Sequence, residues 1–516
     1  MEVDGAGSLR RTLFEVAEEL TYGDERRLGM KDMLNAVQRV FLSRSGRTAG
    51  AYGVSNERLQ HLDHLAYAAL SKVDIAGSIR TAMPAATASC ADDDLPRLRI
   101  KEHACQCIAV AMLQGQGRLD EAVQWWRERK GVVDKIIGRT ASHHPHDQLF
   151  NAFWSSNIGH TAFLGVHVKR NLLRGQPYRR FTLIRPSGWN VGNRRLVDYW
   201  SKYMTIVDKG AHLGLSPDLE MYGSKYIFLE ECGDGSETYY WEAYAEISKD
   251  WEQAGGRALL ELTRADVWNG WRRLAALGVP RESWFVCLHV RSAGFKPVHD
   301  QLHDALNADI CTYDAAIDAI VERGGWVIRM GDASMPKLQP RDRVVDYAHS
   351  PEKADWMDVF LCGTCWFYIG TSSGLGYVPN LFGVPSVFTN WFPTGALPLN
   401  GTDLFIPKLH WHDKQGQFAP FRESLAPPLG HVHAKSTLNA LGVYLCNNSP
   451  EDLRDVVVEM LDRLEAKAVY TADDKQLQGR FTAVAASSRS SGNAQIGREF
   501  IRKHRHLLTG DGPSCS

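Results

Sequence analysis

Trp284-Phe-Val-Cys-Leu-His-Val-Arg291, Trp326-Val-Ile-Arg-Met-Gly-Asp332 and Trp366-Phe-Tyr-Ile-Gly-Thr-Ser-Ser-Gly-Leu375 are three short apolar runs, each leading into polar or glycine residues. Helical patterns separate them, and a fourth apolar run closes the stretch at Trp391. Runs of strand length that alternate with helices predict a parallel sheet covered on both faces. Sheets of that kind bind ligands beyond the carboxyl ends of their strands. His289, Arg291, Gly331, Asp332, Thr371, Ser372, Ser373 and Gly374 all fall at such ends.

Outward from this stretch, the 516-residue chain is too long for one core, so several domains are expected. The charge is balanced, 59 Lys+Arg against 60 Asp+Glu, which argues against a broadly basic nucleic-acid-binding surface. No apolar run reaches the roughly 20 residues needed to span a bilayer, so no transmembrane segment is expected. Met1-Glu-Val-Asp-Gly5 lacks the basic and apolar regions of a signal peptide. Ten scattered cysteines fit reduced thiols in a cytoplasmic setting, with peripheral association at the inner membrane compatible with it. Fifteen tryptophans suit a large core and lean towards a cleft that stacks on sugars.

The expected organisation is α/β: a helical region over 1–147, a Rossmann-like domain over 148–280, a second over 281–470, and a C-terminal tail and helix over 471–516. Ala104 to Arg129 reads as helix, glycine turn and helix, and resembles one tetratricopeptide unit. A helical cap packed on the next domain accounts for it better than a peptide-binding surface for a protein partner, because repeat arrays need about three copies. Gln148–Trp154 reads as a strand and Ser155–His160 as a tight loop, with a helix over Thr161–Leu173. Further strands are expected at Phe181–Ile184, Met204–Val207 and Tyr226–Leu229. Lys408, His410 and His412 stand close together in a proline-rich stretch. Pro450–Leu464 reads as an amphipathic helix, 471–495 as loosely ordered, and Ile496–Leu508 as a basic helix without assigned function.

Two residues apart on a strand, His289 and Arg291 project to the same side. An arginine there can grip a phosphate and offset charge on a departing diphosphate; the plain alternative is an ion pair at a strand end. Thr371-Ser-Ser-Gly374 precedes a helical pattern over Gly374–Phe382, where hydroxyls and amides can hold an anion or simply cap the helix. Asp332 suits a ribose or base, or else a turn.

His289-Val-Arg291, Ile328-Arg-Met-Gly-Asp332 and Asp358-Val-Phe-Leu361 with Phe367-Tyr-Ile-Gly-Thr-Ser-Ser-Gly374 together resemble a bacterial glycosyltransferase family. That family is distantly similar to the fucosyltransferase superfamily, the O- and α-1,6-fucosyltransferases. The resemblance covers about Asn157 to Trp391, including Asn157-Ile-Gly-His160 and Ile184-Arg-Pro-Ser-Gly188. It implies a GT-B fold, a pair of Rossmann-like domains with the nucleotide sugar on the C-terminal one. It also implies inversion at the anomeric carbon without metal or cofactor, the nucleotide sugar being a co-substrate. Arg291 would hold the donor diphosphate, with Asp332 and Thr371–Ser373 lining the nucleotide and phosphates. Asn157, Gly159, His160 and Arg185 would lie on the acceptor side. Where fucosyltransferases often carry an acidic residue soon after the arginine, this chain has Ser292-Ala-Gly-Phe295, so GDP-fucose is one candidate donor among several. The catalytic base is open among His160, Asp300 and Glu237, with His160 favoured.

Two rival signals are weaker. His299-Asp-Gln-Leu-His303 sets two histidines on one helical face, but lacks the glutamate of zinc hydrolases. Cys362-Gly-Thr-Cys365 has redox or zinc spacing, yet no second pair stands near, and two packed thiols explain it better. The expectation is therefore a glycosyltransferase moving a sugar from a nucleotide-diphosphate donor, a GDP-sugar favoured, to a hydroxyl on a glycan or protein. The alternatives are a nucleotide-sugar epimerase or hydrolase on the same fold, and a non-catalytic scaffold that binds nucleotide sugar.

Overall fold

The structure, a computed structural model, describes residues 83–84, 87, 95–140, 148–175, 181–185, 191–208, 228–231, 236–281, 283–293 and 304–508. The chain divides into two compact units, one of 1–139 with 297–302 and one of 140–296 with 303–516. In the first unit, Leu95–Val110 is a helix that runs into a π-helical turn at Ala111–Gly115. Gly117 (φ +66°) permits the reversal, and the helix Leu119–Thr140 comes next. The expected helix–turn–helix is therefore present. A buried ion pair, Arg129 to Glu102 at 2.6 Å, ties its two arms together.

The second unit begins with a small parallel sheet, β1 (Gln148–Phe150), β2 (Phe181–Ile184) and β3 (Met204–Val207), in that order. The strand expected to reach Trp154 stops at Phe150, because the Asn151 side chain caps a short helix at Ala152–Ser155. Asn157 then caps the helix Ile158–Leu173 by accepting from Gly159 N–H, so that helix starts three residues before the expected Thr161. Gly159 and His160 thus lie in a helical first turn rather than in a loop. Of the strand expected at Tyr226–Leu229, Tyr226 and Ile227 lie outside the described residues; Leu229 opens β4 (Leu229–Glu231), which pairs antiparallel with β5 (Glu237–Tyr239).

The large sheet is built from β6 (Phe285–His289), β7 (Trp326–Arg329), β8 (Val344–Val345), β9 (Tyr368–Gly370), β10 (Ser386–Trp391) and β11 (Leu404–Pro407). A small antiparallel sheet of β12 (Leu409–His412), β13 (Gln417–Phe418) and β14 (Val443–Cys446) stands beside it. The chain then returns, and β15 (Gln495–Ile496) joins the edge of the large sheet by pairing with β11. The resulting order is β15-β11-β10-β9-β6-β7-β8, with every pair parallel. Every residue of β6 and of β10 is buried, as the unbroken apolar runs require of strands covered on both faces.

Residues 471–495 are not loose. Thr471 and Asp474 form a capping box that starts a helix at Ala472–Ser487, and Asp474 also binds Arg502 of the final helix Arg498–Lys503. Its weak amphipathicity hides it in the sequence, while the cap and the ion pair hold it in place. Pro450–Leu464 is the helix expected, opened by a capping box of Ser449 and Asp452.

Candidate functional site

The chain path sets the site. From β6 it moves to β7 and β8 on one side, then crosses to β9 on the other side of β6. Strand order therefore reverses between β6 and β9, and the crevice beyond their carboxyl ends is the topological switch point of the sheet. His289 ends β6 and Arg291 lies two residues on; Thr371 comes directly after β9.

Hydrogen bonds knit these tips together. Thr371 N–H donates to the His289 carbonyl at 3.2 Å, and Arg291 N–H donates to Thr371 Oγ1 at 3.0 Å. Ser372 Oγ accepts from Phe392 N–H at 3.0 Å, which fastens the end of β9 to the end of β10. Both hydroxyl oxygens are buried and accept backbone protons, so they shape the loop rather than point at a ligand. Ser373 Oγ accepts from Leu375 N–H at 3.3 Å and caps a 3-10 turn at Gly374–Tyr377. One α-helical turn at Val378–Leu381, containing Pro379, continues it, so the expected single helix over Gly374–Phe382 is broken into two shorter pieces. Among the described residues, no acceptor takes the N–H groups of Ser372 and Ser373. Two successive backbone donors at a switch point suit an anion.

The arginine is oriented. Its Nε donates to Asn307 Oδ1 at 3.1 Å, and its carbonyl accepts from Ala308 N–H at 3.0 Å. Its neighbour His289 is a buried, uncharged group. Burial, then the nearby Arg329 and Arg291 charges, push the imidazole down to about 4, so it is neutral near pH 7. Arg329 itself is buried beneath the tips, bound to Asp346 at 2.8 Å and to the Pro336 carbonyl at 2.9 Å.

Just beyond β7, Gly331 has φ +140°, and a Cβ there would lie 2.2 Å from Met335 Sδ, so only glycine fits. Asp332 Oδ1 accepts from Ser334 N–H at 2.9 Å, the turn role weighed from sequence. Asp332 lies beyond the carboxyl end of β7, the strand next to β6, and so at the same edge of the sheet as His289.

The helix Ile158–Leu173 of the small-sheet lobe closes over the crevice's rim. Gly159 and Gly374 meet backbone to backbone: a Cβ on Gly159 would lie 2.8 Å from Gly374 Cα, and one on Gly374 2.9 Å from Gly159 N and Cα. Farther along the helix, Phe163 packs on Tyr377 at 4.6 Å between ring centroids, and Gly165 lies against Leu381. The glycines that the sequence singled out in separate lobes are thus one contact. Asn157 belongs to it through Oδ1, and His160 lies one residue from it, stacked on Phe153 at 4.2 Å.

Other candidates lie apart. Arg185 comes after β2 with its guanidinium bound to Asp208 at 2.6 Å and Asp198 at 2.9 Å. Glu237 opens β5 in the hairpin. Asp300 and the His299–His303 motif lie outside the described residues. Cys362 and Cys365 are buried free thiols beside Cys287, the packed arrangement expected. Among the described residues, no cluster of His, Cys, Asp or Glu could hold a metal, and no helix is long and apolar enough to cross a membrane. Asn307 was missed from sequence, since a lone asparagine after a charged loop carries no periodicity or motif.

No family model and no curated protein matches the sequence. Among the solved structures to which the chain is similar are three named as glycosyltransferases. One is the glycosyl transferase family 9 from Veillonella parvula, 12% identical over 62% of this chain and 96% of that one, with a TM-score of 0.36. Another is the ADP-heptose lps heptosyltransferase II of E. coli, 14% identical over 62% and 99%, with a TM-score of 0.33. A third is the iron-containing dodecameric glycosyltransferase TibC of enterotoxigenic E. coli, 13% identical over 52% and 63%, with a TM-score of 0.29.

Proposed function

We propose that this chain is a glycosyltransferase of GT-B type that moves a sugar from a nucleotide-diphosphate donor to a hydroxyl on a glycan or protein. One observation carries the reading. The switch point between β6 and β9 brings an oriented arginine together with two consecutive backbone donors, those of Ser372 and Ser373. A diphosphate needs that combination: a delocalised cation for its bridging charge and amides for its terminal oxygens.

Leaving-group departure builds charge on the diphosphate oxygen. Arg291 offsets that charge, and it is held in place before reaction, so little reorganisation is spent when the bond breaks. The acceptor hydroxyl attacks the anomeric carbon from the opposite face, which inverts it. His160, in the first turn of the helix whose Gly159 abuts Gly374, is the favoured base. His289 stays neutral and contributes at most one N–H to the site. A GDP-sugar is the favoured donor, with the base beyond the tip of β7 near Asp332.

The test is a thermal-shift screen with GDP, UDP, ADP and CMP, and then sugar release from the matching nucleotide sugars with and without acceptor. A ligand that binds the folded state at 100 times its Kd stabilises it by about 2.7 kcal/mol. Acceptor-dependent release supports transfer. Release without acceptor favours a hydrolase or epimerase, and binding without turnover favours a scaffold. Absence of any nucleotide-dependent shift refutes the site.

A further inference from the structure

The carboxyl edge of the large sheet carries another buried cation, on the far side of β10 from the switch point. Lys408 comes directly after β11 and is 3% exposed, with its N–H donating to the Trp391 carbonyl at 3.1 Å. Its ammonium donates to the Asn307 carbonyl at 2.7 Å and forms no ion pair among the described residues. A buried ammonium facing a neutral acceptor is costly, and the hydrogen bond to that acceptor offsets only part of the cost. Asn307 is the residue whose side-chain oxygen takes Arg291 Nε at 3.1 Å, and the next residue, Ala308, donates to the Arg291 carbonyl at 3.0 Å. Asn307 is therefore gripped from β11 on its backbone and grips the arginine with its side chain.

We propose that Lys408 is a positioning residue for Arg291: its ammonium fixes the Asn307 peptide, and Asn307 fixes the guanidinium, so that diphosphate affinity depends on the charge of Lys408. The proposal rests on Arg291 being a diphosphate ligand. The charged groups facing Lys408 are Asp304, which favours the ammonium, and Lys435, which opposes it; Arg291 is reached through Asn307. His410, two residues on, is pushed down to about 4 by burial. Burial, then Lys435, pull Lys408 down to about 8, so the clamp is charged at pH 7 and is lost as pH rises through about 8. A charge-assisted hydrogen bond is roughly twice as strong as a neutral one, so deprotonation loosens the clamp without breaking the fold.

The experiment takes wild type and Lys408→Met across pH 6.5 to 9.5 by two readouts: amide hydrogen exchange of the free full-length protein at 304–308, and calorimetric titration with GDP, UDP and ADP. Wild type is expected to lose protection at Ala308 near pH 8, beyond the intrinsic rise in exchange, and to weaken in diphosphate affinity over the same range. Lys408→Met should show low protection and roughly ten-fold weaker binding at pH 7, with no step near pH 8 in either. Exchange in the variant that matches wild type overturns the clamp. Altered exchange with unaltered binding overturns the positioning of Arg291. A wild type that binds no diphosphate at any pH refutes the diphosphate site, and the positioning role with it, whatever the exchange shows. If the variant does not fold, the wild-type pH profiles decide alone: a step near pH 8 in both supports the proposal, and its absence from either overturns it.

Discussion

Gly159→Ala probes the contact on which the site's geometry depends. The new methyl would lie 2.8 Å from Gly374 Cα and 3.3 Å from Asn157 Oδ1. Carbon atoms rest at about 3.5–4.0 Å, so the two backbones must part by roughly 0.7–1.2 Å. The obstacle is backbone, with no flexible side-chain end to swing aside, and overpacking of that kind costs about 1–3 kcal/mol. Against it stands the helical gain of alanine over glycine, about 0.5–1 kcal/mol in the first turn of Ile158–Leu173. At the middle of both ranges the steric term wins, and the net loss is about 0–2.5 kcal/mol. Gly479→Ala supplies the control: it lies in the helix Ala472–Ser487 of the same compact unit, with nothing within 4 Å of the built methyl. That variant should gain about 0.5–1 kcal/mol. Denaturant unfolding of both variants, measured in parallel with transfer rate, separates the effects. A displacement near 1 Å at reacting groups costs about 100-fold in rate, so Gly159→Ala should lose activity out of proportion to stability. If it proves as stable as Gly479→Ala and as active as wild type, the lobes do not meet closely at Gly374.

Arg291→Ala should fold, bind nucleoside diphosphate weakly and lose about 100- to 1000-fold in transfer rate, as removal of a transition-state donor does; an active variant, measured by sugar release, removes the arginine from its role. Thr371→Val keeps the volume but strips Arg291 N–H of its acceptor, and one buried unpaired donor costs about 1–3 kcal/mol in a denaturant titration. Burial lifts the Asp403 carboxyl from 3.8 to about 7, despite its bonds from Ser386 N–H and Asn380. Its folded state therefore holds the proton more tightly than the unfolded chain. The contribution of Asp403 to stability should be greatest below about pH 4, fall as pH rises towards 7, and level off above. Asp403→Asn should flatten that slope, and a wild-type profile with no such decline that the variant removes would refute the assignment.

How much of this was legible depends on the distance over which each feature is decided. β6, β7, β9 and β10 announce themselves because a doubly covered strand must be apolar throughout, and burial of every residue of β6 and β10 is that requirement met. Strand tips could be read for the same reason, since the polar residue after an apolar run marks where cover ends. Side-chain roles could not. Thr371 and Ser372 carry the hydroxyls that suit a phosphate, yet partners 80 and 20 residues away claim both oxygens for backbone protons. Asp332 satisfies its own turn instead. The 3-10 turn after Ser373 and the capped helix at Ala472–Ser487 depend on caps and tertiary partners, which outweigh local propensity.

The contact between Gly159 and Gly374 belongs to a third kind. Gly374 sits in a stretch that the sequence assigns to an anion or a helix cap, Gly159 in one that it assigns to the acceptor side, and neither signals the other. Once they touch, close approach of two backbones accounts for both glycines without any ligand. The anion site then loses the glycines and the two buried hydroxyls from its support, and rests on Arg291 with the Ser372 and Ser373 amides. That is a narrower foundation than the motif suggests, and it moves the decisive experiment from the serines to the arginine and to the Asn307 that holds it. A serine-to-alanine scan of 372–373 would chiefly report on loop stability. Substituting Asn307, by contrast, leaves every backbone donor in place and changes only how the guanidinium is aimed.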